Sequence, residues 1–523
     1  MTGRVLGRVV GGSTQGLKVR LEEGVSVEEM AVGRYVTVEG EKRRFFGLIT
    51  DVELASLDPG LDSLEASDPF IARVLSGTGT YGLLQVLPVL TVEVAGLPPG
   101  PAKTIPAPFS LVREATEADV SLVFGAEDPK HFHIGNPLDL EAKVCLDLDK
   151  FVQRSNGVFG KSGTGKTFLT RLLLYGIIQR GQAVTLVFDM HSEYGWEGEK
   201  EEGGTVKGLK QFFQNKGTVF TLDPESSRRR KVPTDFAVQI GYDEIEPEDI
   251  SLLRETLRLT ELAAQVPYRL ARLLGPAWLQ AFIQSTPQQV QDLAQDLGEN
   301  EATLASLHRR LQPFQRLPFL VPQSPAKVLD QILAYLEKGV SVVLEFGRYN
   351  DILPYMLVAN LLTRRLHDHY VKKTERARGE GASHPRPLVI TVEEAHRFLS
   401  PELSGHTTFG QIAREMRKFY VTLLVIDQRP SGIDEEVMSQ LGTKITCLLD
   451  NERDIDSVLA GTPGKNELKR VLSRLESKQQ ALIFGHALPM PVAVQVREYS
   501  SLYRETAQLR KRAEQDKKDI WEE

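Results

Sequence analysis

The sequence contains little cysteine and no long hydrophobic run. Cys145 and Cys447 are the two cysteines among 523 residues, and neither belongs to a Cys-x-x-Cys pair, so a disulfide framework and a cysteine-based metal site are excluded. No stretch of about 18 apolar residues occurs, which excludes a transmembrane helix on sequence grounds. The segment Met1 to Val10 lacks the basic and apolar regions of a signal peptide, and we therefore expect a cytoplasmic protein.

The chain also lacks an excess of positive charge. Lysine and arginine number 63 against 70 aspartates and glutamates, which gives a net charge of −7. General attraction to nucleic acid is therefore not expected, and any contact with DNA needs a local basic surface. The composition, 41% hydrophobic and 25% charged, excludes a chain that is wholly disordered, collagen-like or coiled-coil.

The chain divides into parts with different patterns. Residues 1–105 contain short β-rich runs broken by Gly, Pro and Asp, which predicts a small β-barrel. Over 106–241 and 323–500, apolar runs alternate with helical stretches, which predicts an α/β core with a mostly parallel sheet. The strands expected in this core are Val158–Phe159, Ala183–Phe188, Val219–Leu222, Val340–Phe346, Leu388–Val392, Val421–Ile426, Ile445–Leu449 and Ala481–Phe484.

Two other segments lack this alternation. Between residues 242 and 322 the strand pattern stops and leucines recur at helical spacing, which predicts an inserted helical bundle. Residues 501–523 are highly charged but nearly balanced in sign. They form a C-terminal arm that is either a helix or mobile.

One motif dominates the chemistry of the chain. The P-loop pattern is matched in full by Gly160, Lys161, Ser162, Gly163, Thr164, Gly165, Lys166 and Thr167. In such a loop backbone N–H groups surround phosphates at the amino end of a helix, Lys166 reaches the β and γ oxygens, and Thr167 ligates Mg²⁺. The sequence therefore predicts nucleoside triphosphate binding by these residues and by Phe168, which follows them; a chance glycine-rich turn is the alternative.

Two carboxylates follow the predicted strand Leu388–Val392. In P-loop enzymes one such carboxylate orders the Mg²⁺ shell and the next polarises the attacking water. This predicts Glu393 as the metal ligand and Glu394 as the catalytic base, acting with the catalytic Lys166. A solvated strand terminus is the alternative.

Two further polar groups follow predicted strands. Asp189 and Glu193 come after Ala183–Phe188, and carboxylates at that end of a parallel strand lie over the nucleotide crevice, where they could hold a metal-bound or attacking water. Gln428 follows Val421–Ile426, in the position of a γ-phosphate sensor. Ordinary polar loop residues are the alternative for each group.

Together these motifs resemble the HerA branch of the HerA–FtsK ATPases in order and content. The resemblance covers essentially the whole chain and rests on the N-terminal barrel and on Gly160–Thr167, Phe188–Tyr194, Val392–His396, Ile412–Lys418, Asp427–Pro430 and Leu482–Ala487. It implies an α/β fold with a RecA-like P-loop ATPase core, an N-terminal β-barrel of the HAS-barrel type and an inserted helical bundle. It also implies ATP and Mg²⁺ as cofactors. The members are hexameric rings that translocate double-stranded DNA, commonly with a NurA-type nuclease in DNA end resection and repair.

In such rings arginines of one subunit complete the nucleotide site of the next. Arg417 resembles the trans-acting finger, with Arg414 as the second choice, and Arg154 resembles another arginine that acts on a neighbour's nucleotide. A guanidinium placed there neutralises charge developing on the γ-phosphate, so hydrolysis would depend on ring assembly.

Two positions depart from the family pattern. Glu393 stands where an aspartate is common, which lengthens the reach to Mg²⁺, and Met416 replaces the usual glycine beside Arg417, which alters the local backbone. Neither change removes a catalytic group.

Two basic segments are candidates for DNA contact. The first is the basic run, Arg228 to Lys231, and the second contains Lys372, Lys373, Arg376 and Arg378. Either could bind phosphates without reading sequence. A solvated charged face is the alternative for both.

Other functions also fit the resemblance. HerA-like chains serve as ATPase or scaffold subunits of antiphage defence complexes, with a sirtuin-type or other effector on the barrel. A nucleotide-gated platform without DNA dependence is a third alternative. The presence of Lys166, Glu394 and the arginines favours an enzyme, a DNA-dependent ATPase, over a platform.

Overall fold

In the computed structural model, the described residues are 3–56, 79–93, 99–199, 205–324, 326–349, 351–381, 383–405, 407–503 and 506. Apart from 501–503 and 506, the predicted C-terminal arm lies outside the described residues. Across the described ranges, no helix has both the length and the apolar character needed to cross a bilayer.

An antiparallel sheet forms the N-terminal barrel. Its strands are β1 Val5–Ser13, β2 Gly16–Leu21, β3 Tyr35–Glu39, β4 Arg43–Ser56, β5 Thr80–Glu93, β6 Gly100–Pro101 and β7 Leu111–Glu114. They lie in the order β2-β1-β7-β3-β4-β5-β6, and the additional pairing of β2 with β5 closes the sheet. The interior is apolar, because alternate side chains such as Val19, Val36 and Val86 point inward.

The barrel extends further along the chain than the predicted boundary at residue 105. Strand β7 pairs with both β1 and β3, so the sheet would be open without it. The proline-rich stretch before β7 interrupts the strand pattern in the sequence, which is why the return strand was missed.

A second, larger sheet organises the core. Its strands are β8 His131–Pro137, β9 Val144–Asp147, β10 Asn156–Phe159, β11 Val184–Asp189, β14 Gly217–Thr221, β15 Phe236–Ala237, β18 Ser341–Glu345, β19 Leu388–Glu393, β20 Val421–Asp427, β21 Thr443–Thr446, β22 Gln480–Gly485 and β23 Val492–Val496. Short pairs are formed by β12 Gly198–Glu199 with β13 Thr205–Val206, and by β16 Ile240–Gly241 with β17 Leu320–Val321.

The order of the large sheet is β15-β14-β18-β11-β19-β20-β10-β21-β22-β23-β8-β9. The strands from β15 to β21 are parallel, as the alternation of strands and helices predicts. From β21 onward the sheet continues antiparallel through β22, β23, β8 and β9. The sequence pattern predicts β22, as Ala481–Phe484, but not β23, β8 or β9. Strand β21 also ends at Thr446 rather than continuing to the predicted Leu449, because the chain there turns toward the P-loop.

Helices cover the large sheet and form the insertion. They are α1 Glu117–Phe124, α2 Leu148–Val152, α3 Lys166–Arg180, α4 Leu209–Phe213, α5 Pro224–Arg229, α6 Pro247–Leu252, α7 Glu261–Leu274, α8 Trp278–Gln284, α9 Pro287–Leu297, α10 Glu301–Leu311, α11 Val328–Glu337, α12 Ile352–Glu380, α13 His396–Leu399, α14 Thr408–Glu415, α15 Glu435–Gln440, α16 Glu452–Val458 and α17 Lys465–Leu472. Helices α6 to α10 lie between the paired strands β16 and β17, which bring the ends of the insertion together.

The barrel packs directly onto the core. Tyr35 of β3 contacts the ring of Phe124 in α1, with centroids 6.1 Å apart, and its hydroxyl donates to the carbonyl of Pro491, 3.2 Å away. Asp51 of β4 forms an ion pair with Arg470 of α17 at 2.8 Å. Apolar side chains of the barrel's outer face, including Tyr35 and Leu48, belong to the same hydrophobic cluster as the core.

A buried ion pair fixes the insertion to the core. The guanidinium of Arg364 on α12 donates to both oxygens of Asp249 on α6, each at 2.9 Å, and the Asp249 side chain is fully buried. Burial raises the pKa of Asp249, and the bonds from Arg364 oppose that shift.

Replacing Asp249 with alanine is expected to lower the free energy of unfolding by about 3 kcal/mol, because it leaves the Arg364 charge without its buried partner. Urea denaturation followed by tryptophan fluorescence measures this, since the buried Trp278 lies in the insertion. The matched control is Asp296→Ala on the exposed face of α9, for which the change should stay within about 0.5 kcal/mol. Equal effects of the two substitutions would contradict the proposed role of the ion pair.

Candidate active site

The loop Gly160–Thr167 connects the carboxyl end of β10 to the amino end of α3. Gly163 and Gly165 have φ angles of +77° and +92°, which residues with a Cβ rarely adopt. A Cβ on Gly160 would lie 2.8 Å from that of Cys447. The loop therefore has the conformation in which backbone N–H groups and a helix amino end face a phosphate.

The two lysines of the loop have different partners. The ammonium of Lys166 donates to the carbonyl of Lys161 at 2.8 Å, and burial lowers its pKa against the opposing charges of Glu394 and Asp427. The ammonium of Lys161 instead lies 3.0 Å from each carboxylate oxygen of Asp450. Lys166 is thus inside the site, whereas Lys161 lies at its rim.

A row of carboxylates lies at the same edge of the sheet. Glu345, Asp189, Glu393 and Asp427 are the last residues of β18, β11, β19 and β20, which are neighbours in that order. All of them are buried. Because the carboxyl ends of parallel strands form the nucleotide crevice, this row lies beside the P-loop.

Glu393 has one occupied and one free oxygen. Its Oε1 accepts a hydrogen bond from the Tyr194 hydroxyl at 2.8 Å, while its Oε2 is buried without a hydrogen-bond partner among the described residues. Burial and the nearby charge of Asp189 raise the pKa of Glu393 to about 8, and the bond from Tyr194 opposes the shift. An unpartnered buried oxygen on a carboxylate suits a cation or a cation-bound water.

This observation bears on the predicted Mg²⁺ site. The described residues contain no group of three or more His, Cys, Asp or Glu side chains that could hold a metal. The predicted ligands are Thr167, at the start of α3, and Glu393, and two protein oxygens match the way Mg²⁺ is held mainly by nucleotide phosphates and water. The residues present fit the ion.

Asp189 binds the backbone of the loop that follows β11. Its two oxygens accept the backbone N–H groups of Glu193 and Tyr194 at 2.8 and 2.9 Å. The carboxylate thereby fixes the loop after β11, and its contact with a metal-bound or attacking water stays a prediction. Its effect on the site passes through Tyr194, whose hydroxyl binds Glu393.

Glu394 lies between two polar groups at the turn after β19. Its φ of +49° is unusual for a residue with a side chain. Its Oε1 accepts from the Gln428 amide at 3.3 Å, and its Oε2 lies 3.9 Å from Nδ1 of His396. The structure thus brings Gln428 and Glu394 together, and their position beside a γ-phosphate stays a prediction.

His396 is held by Asp427, a contact that the sequence did not indicate. The backbone N–H of His396 donates to Oδ2 of Asp427 at 2.7 Å, and the ring Nδ1 of His396 lies 3.0 Å from the same oxygen. The bond to Asp427 raises the pKa of His396, although burial opposes it. The Gln428–Glu394–His396 cluster is therefore oriented from the end of β20.

The predicted arginines lie at the opposite edge of the sheet. Arg154 precedes β10 and Arg417 precedes β20, so both arginines lie at the amino ends of these parallel strands. The P-loop follows the carboxyl end of β10. The length of β10, about 13 Å, separates Arg154 from its own P-loop. Burial and the charges of Arg154 and Arg417 lower the pKa of His486, which places both arginines near this histidine.

Arg417 and Arg414 differ in their availability. Arg417 is exposed, and within the described residues its guanidinium has no hydrogen bond or ion pair. Arg414 instead donates to the carbonyl of Ser404 at 2.9 Å. Arg417 is therefore the arginine free to reach another molecule.

The basic segments are only partly exposed. In the basic run, Arg230 forms an ion pair with the buried Glu345 at 2.8 Å, while Arg228, Arg229 and Lys231 are exposed. In the second segment, Lys373 pairs with Glu337 at 2.6 Å, and Arg378 donates to the carbonyl of Lys418. These contacts reduce the set that is free for phosphates.

Comparison with known proteins identifies relatives over most of the chain. Residues 132–366 match the family described as "Helicase HerA, central domain", and residues 6–96 match the HAS barrel domain. The "DNA double-strand break repair helicase HerA" of Sulfolobus acidocaldarius is 23% identical over 529 residues, covering 94% of this chain and 93% of that protein. The protein of the same name from Sulfurisphaera tokodaii is 24% identical over 517 residues, covering 95% and 93%. Among solved structures, the bacterial conjugative coupling protein TrwB, in complex with sulphate, has 13% identity and a TM-score of 0.48, covering 73% of this chain and 92% of that one.

Proposed function

Because this chain belongs to the HerA-type P-loop ATPases, we propose that it is an ATP-driven translocase of double-stranded DNA. One observation carries this proposal. Lys166, Glu393 and Glu394 lie together at the carboxyl ends of the parallel strands, whereas Arg154 and Arg417 lie at the amino ends. The name of its relatives, double-strand break repair helicases, supports a helicase or translocase role.

Each residue has a distinct part in hydrolysis. The loop amides and Lys166 bind the β and γ phosphates. Glu394, oriented by Gln428 and His396, accepts the proton of the attacking water. Thr167 and Glu393 would hold Mg²⁺, which would neutralise negative charge on the triphosphate. Tyr194 keeps the Glu393 carboxylate in position.

A ring follows from the separation of these groups. Arg154 and Arg417 lie at the end of the strands opposite their own P-loop, which supports action on a neighbour's site through a repeated heterologous contact of the kind that builds rings. We propose a homohexamer, as the family resemblance implies. The same resemblance makes a NurA-type nuclease, acting with the barrel in end resection, the proposed partner.

Steady-state ATP hydrolysis with and without linear double-stranded DNA tests the function. We expect DNA to raise the rate at least about fivefold, and Lys166→Ala to abolish both rates, because phosphate binding is lost. Hydrolysis by the wild-type protein that DNA does not change would contradict a DNA-dependent motor. It would favour the alternative of an ATPase or scaffold in a defence complex.

A further inference from the structure

One arginine of the basic run is directed into the protein. The guanidinium of Arg230 donates to Oε2 of Glu345 at 2.8 Å, and the Glu345 side chain is fully buried. About a third of the Arg230 side chain remains exposed, 34%, so an anion can reach it from solvent. The acids near the run, Asp223 and Glu225, are both engaged by Arg348.

The other oxygen of Glu345 faces the loop after β11. A Cβ built on Gly195 would lie 2.7 Å from Glu345 Oε1, so the loop approaches this closely only because residue 195 is glycine. Oε1 has no hydrogen-bond partner among the described residues. Glu345 also pairs in register with Asp189, so two buried carboxylates lie side by side.

This loop also holds the metal-binding carboxylate. Gly195 directly follows Tyr194, whose hydroxyl donates to Glu393 Oε1 at 2.8 Å. The contacts thus run without interruption from Arg230 to Glu345, then to Gly195 and Tyr194, and end at Glu393.

We propose that Arg230 and Glu345 are positioning residues that transmit the binding of a DNA phosphate at the basic run to Glu393 through Gly195 and Tyr194. This inference rests on the proposed function, and it names the residues that couple DNA to hydrolysis. A phosphate binds a guanidinium bidentately and competes well with a single carboxylate contact.

When a phosphate binds the Arg230 guanidinium, the hydrogen bond from Arg230 to Glu345 breaks and the Glu345 carboxylate changes position. The carboxylate is then buried without a partner, beside the charge of Asp189, which is costly. Burial and Asp189 already raise the pKa of Glu345 to about 7. The carboxylate relieves this cost by shifting toward Gly195, which its Oε1 faces, and the shift moves the Tyr194 hydroxyl on Glu393.

The test compares Glu345→Gln with a matched substitution on the same surface. Glu345→Gln removes the buried charge, so we expect the ratio of DNA-stimulated to basal ATP hydrolysis to fall from at least about fivefold to about one at saturating DNA. DNA affinity should be retained, because the basic run is intact. Arg229→Gln, at an exposed unpaired position, should weaken DNA binding and reduce its salt slope by about one, with full stimulation at saturation.

Stimulation of Glu345→Gln equal to that of the wild type would overturn the inference and leave the translocase proposal intact. Absence of any DNA effect on the wild type would instead contradict the translocase proposal itself. If thermal denaturation shows that Glu345→Gln does not fold, amide hydrogen exchange of the wild type decides. We expect linear double-stranded DNA to change exchange at residues 193–195, and an unchanged rate there would overturn the coupling.

Discussion

Replacing Arg417 with alanine is expected to lower kcat for ATP hydrolysis by about 10³-fold, because the guanidinium that stabilises charge on the transferred phosphate is lost. Nucleotide affinity should change little, since Arg417 lies across the sheet from its own P-loop. Steady-state hydrolysis and equilibrium binding of a fluorescent ATP analogue measure the two effects. Arg414→Ala is the matched control, because its guanidinium is bound to Ser404 within the same subunit, and its effect on kcat should be far smaller.

Mixing two inactive variants distinguishes action on a neighbour from action within one subunit. Lys166→Ala keeps Arg417, and Arg417→Ala keeps the P-loop. If subunits exchange at random in a ring, about a quarter of the interfaces combine an intact loop with an intact arginine. Mixed samples should therefore regain activity that neither variant has alone. A mixture as inactive as its components would show that Arg417 does not act across the interface.

Glu394→Gln is expected to lower kcat by about 10²- to 10⁴-fold, since the amide cannot accept the proton of the attacking water. ATP should still bind, because the loop and Lys166 are unchanged. Single-turnover hydrolysis and nucleotide binding on the same preparation separate the two steps. Glu435→Gln on the exposed side of α15 provides the matched control. Parallel loss of binding and hydrolysis in Glu394→Gln would indicate a structural role instead.

The parts of the site that are contiguous in the sequence could be predicted from it. The P-loop and the pair Glu393 and Glu394 each combine a strand with an adjacent motif, so their chemistry follows from local order. The hydroxyl of Tyr194 reaches Glu393 across 199 positions, and Arg230 reaches Glu345 across 115. Such contacts depend on strand order, which no local pattern contains.

Residue type alone was also a poor guide to carboxylate roles. Asp189 and Glu393 both end buried parallel strands, and nothing in the local sequence shows which groups their carboxylate oxygens contact. In the structure Asp189 is directed at backbone N–H groups, whereas one oxygen of Glu393 has no hydrogen-bond partner in the described part of the chain. The difference arises because the loop after β11 folds back over Asp189, which hydrophobic patterning does not encode.

The α/β fold class could be predicted from the alternation of apolar strands and helices. The antiparallel part of the large sheet beyond β22 could not. Parallel strands buried on both faces read as apolar runs, which is why β11, β19 and β20 were evident. Strands β8, β9 and β23 lie in segments where turns and polar residues interrupt the pattern, and their pairing with β22 joins parts of the chain far apart in sequence. The return strand β7 was hidden for the same reason.

The attachment of the barrel has a mechanical consequence. Tyr35 and Leu48 share one apolar cluster with the core, and Asp51 of the barrel forms an ion pair with Arg470 of the core. The barrel is thus packed firmly on the core of its own subunit and is not a domain attached only by a linker. In the proposed ring, a rotation of one ATPase core during its nucleotide cycle would rotate the attached barrel through the same angle. A protein bound across neighbouring barrels of the proposed ring would move with the nucleotide cycle of the subunits beneath it, with no separate signal between them.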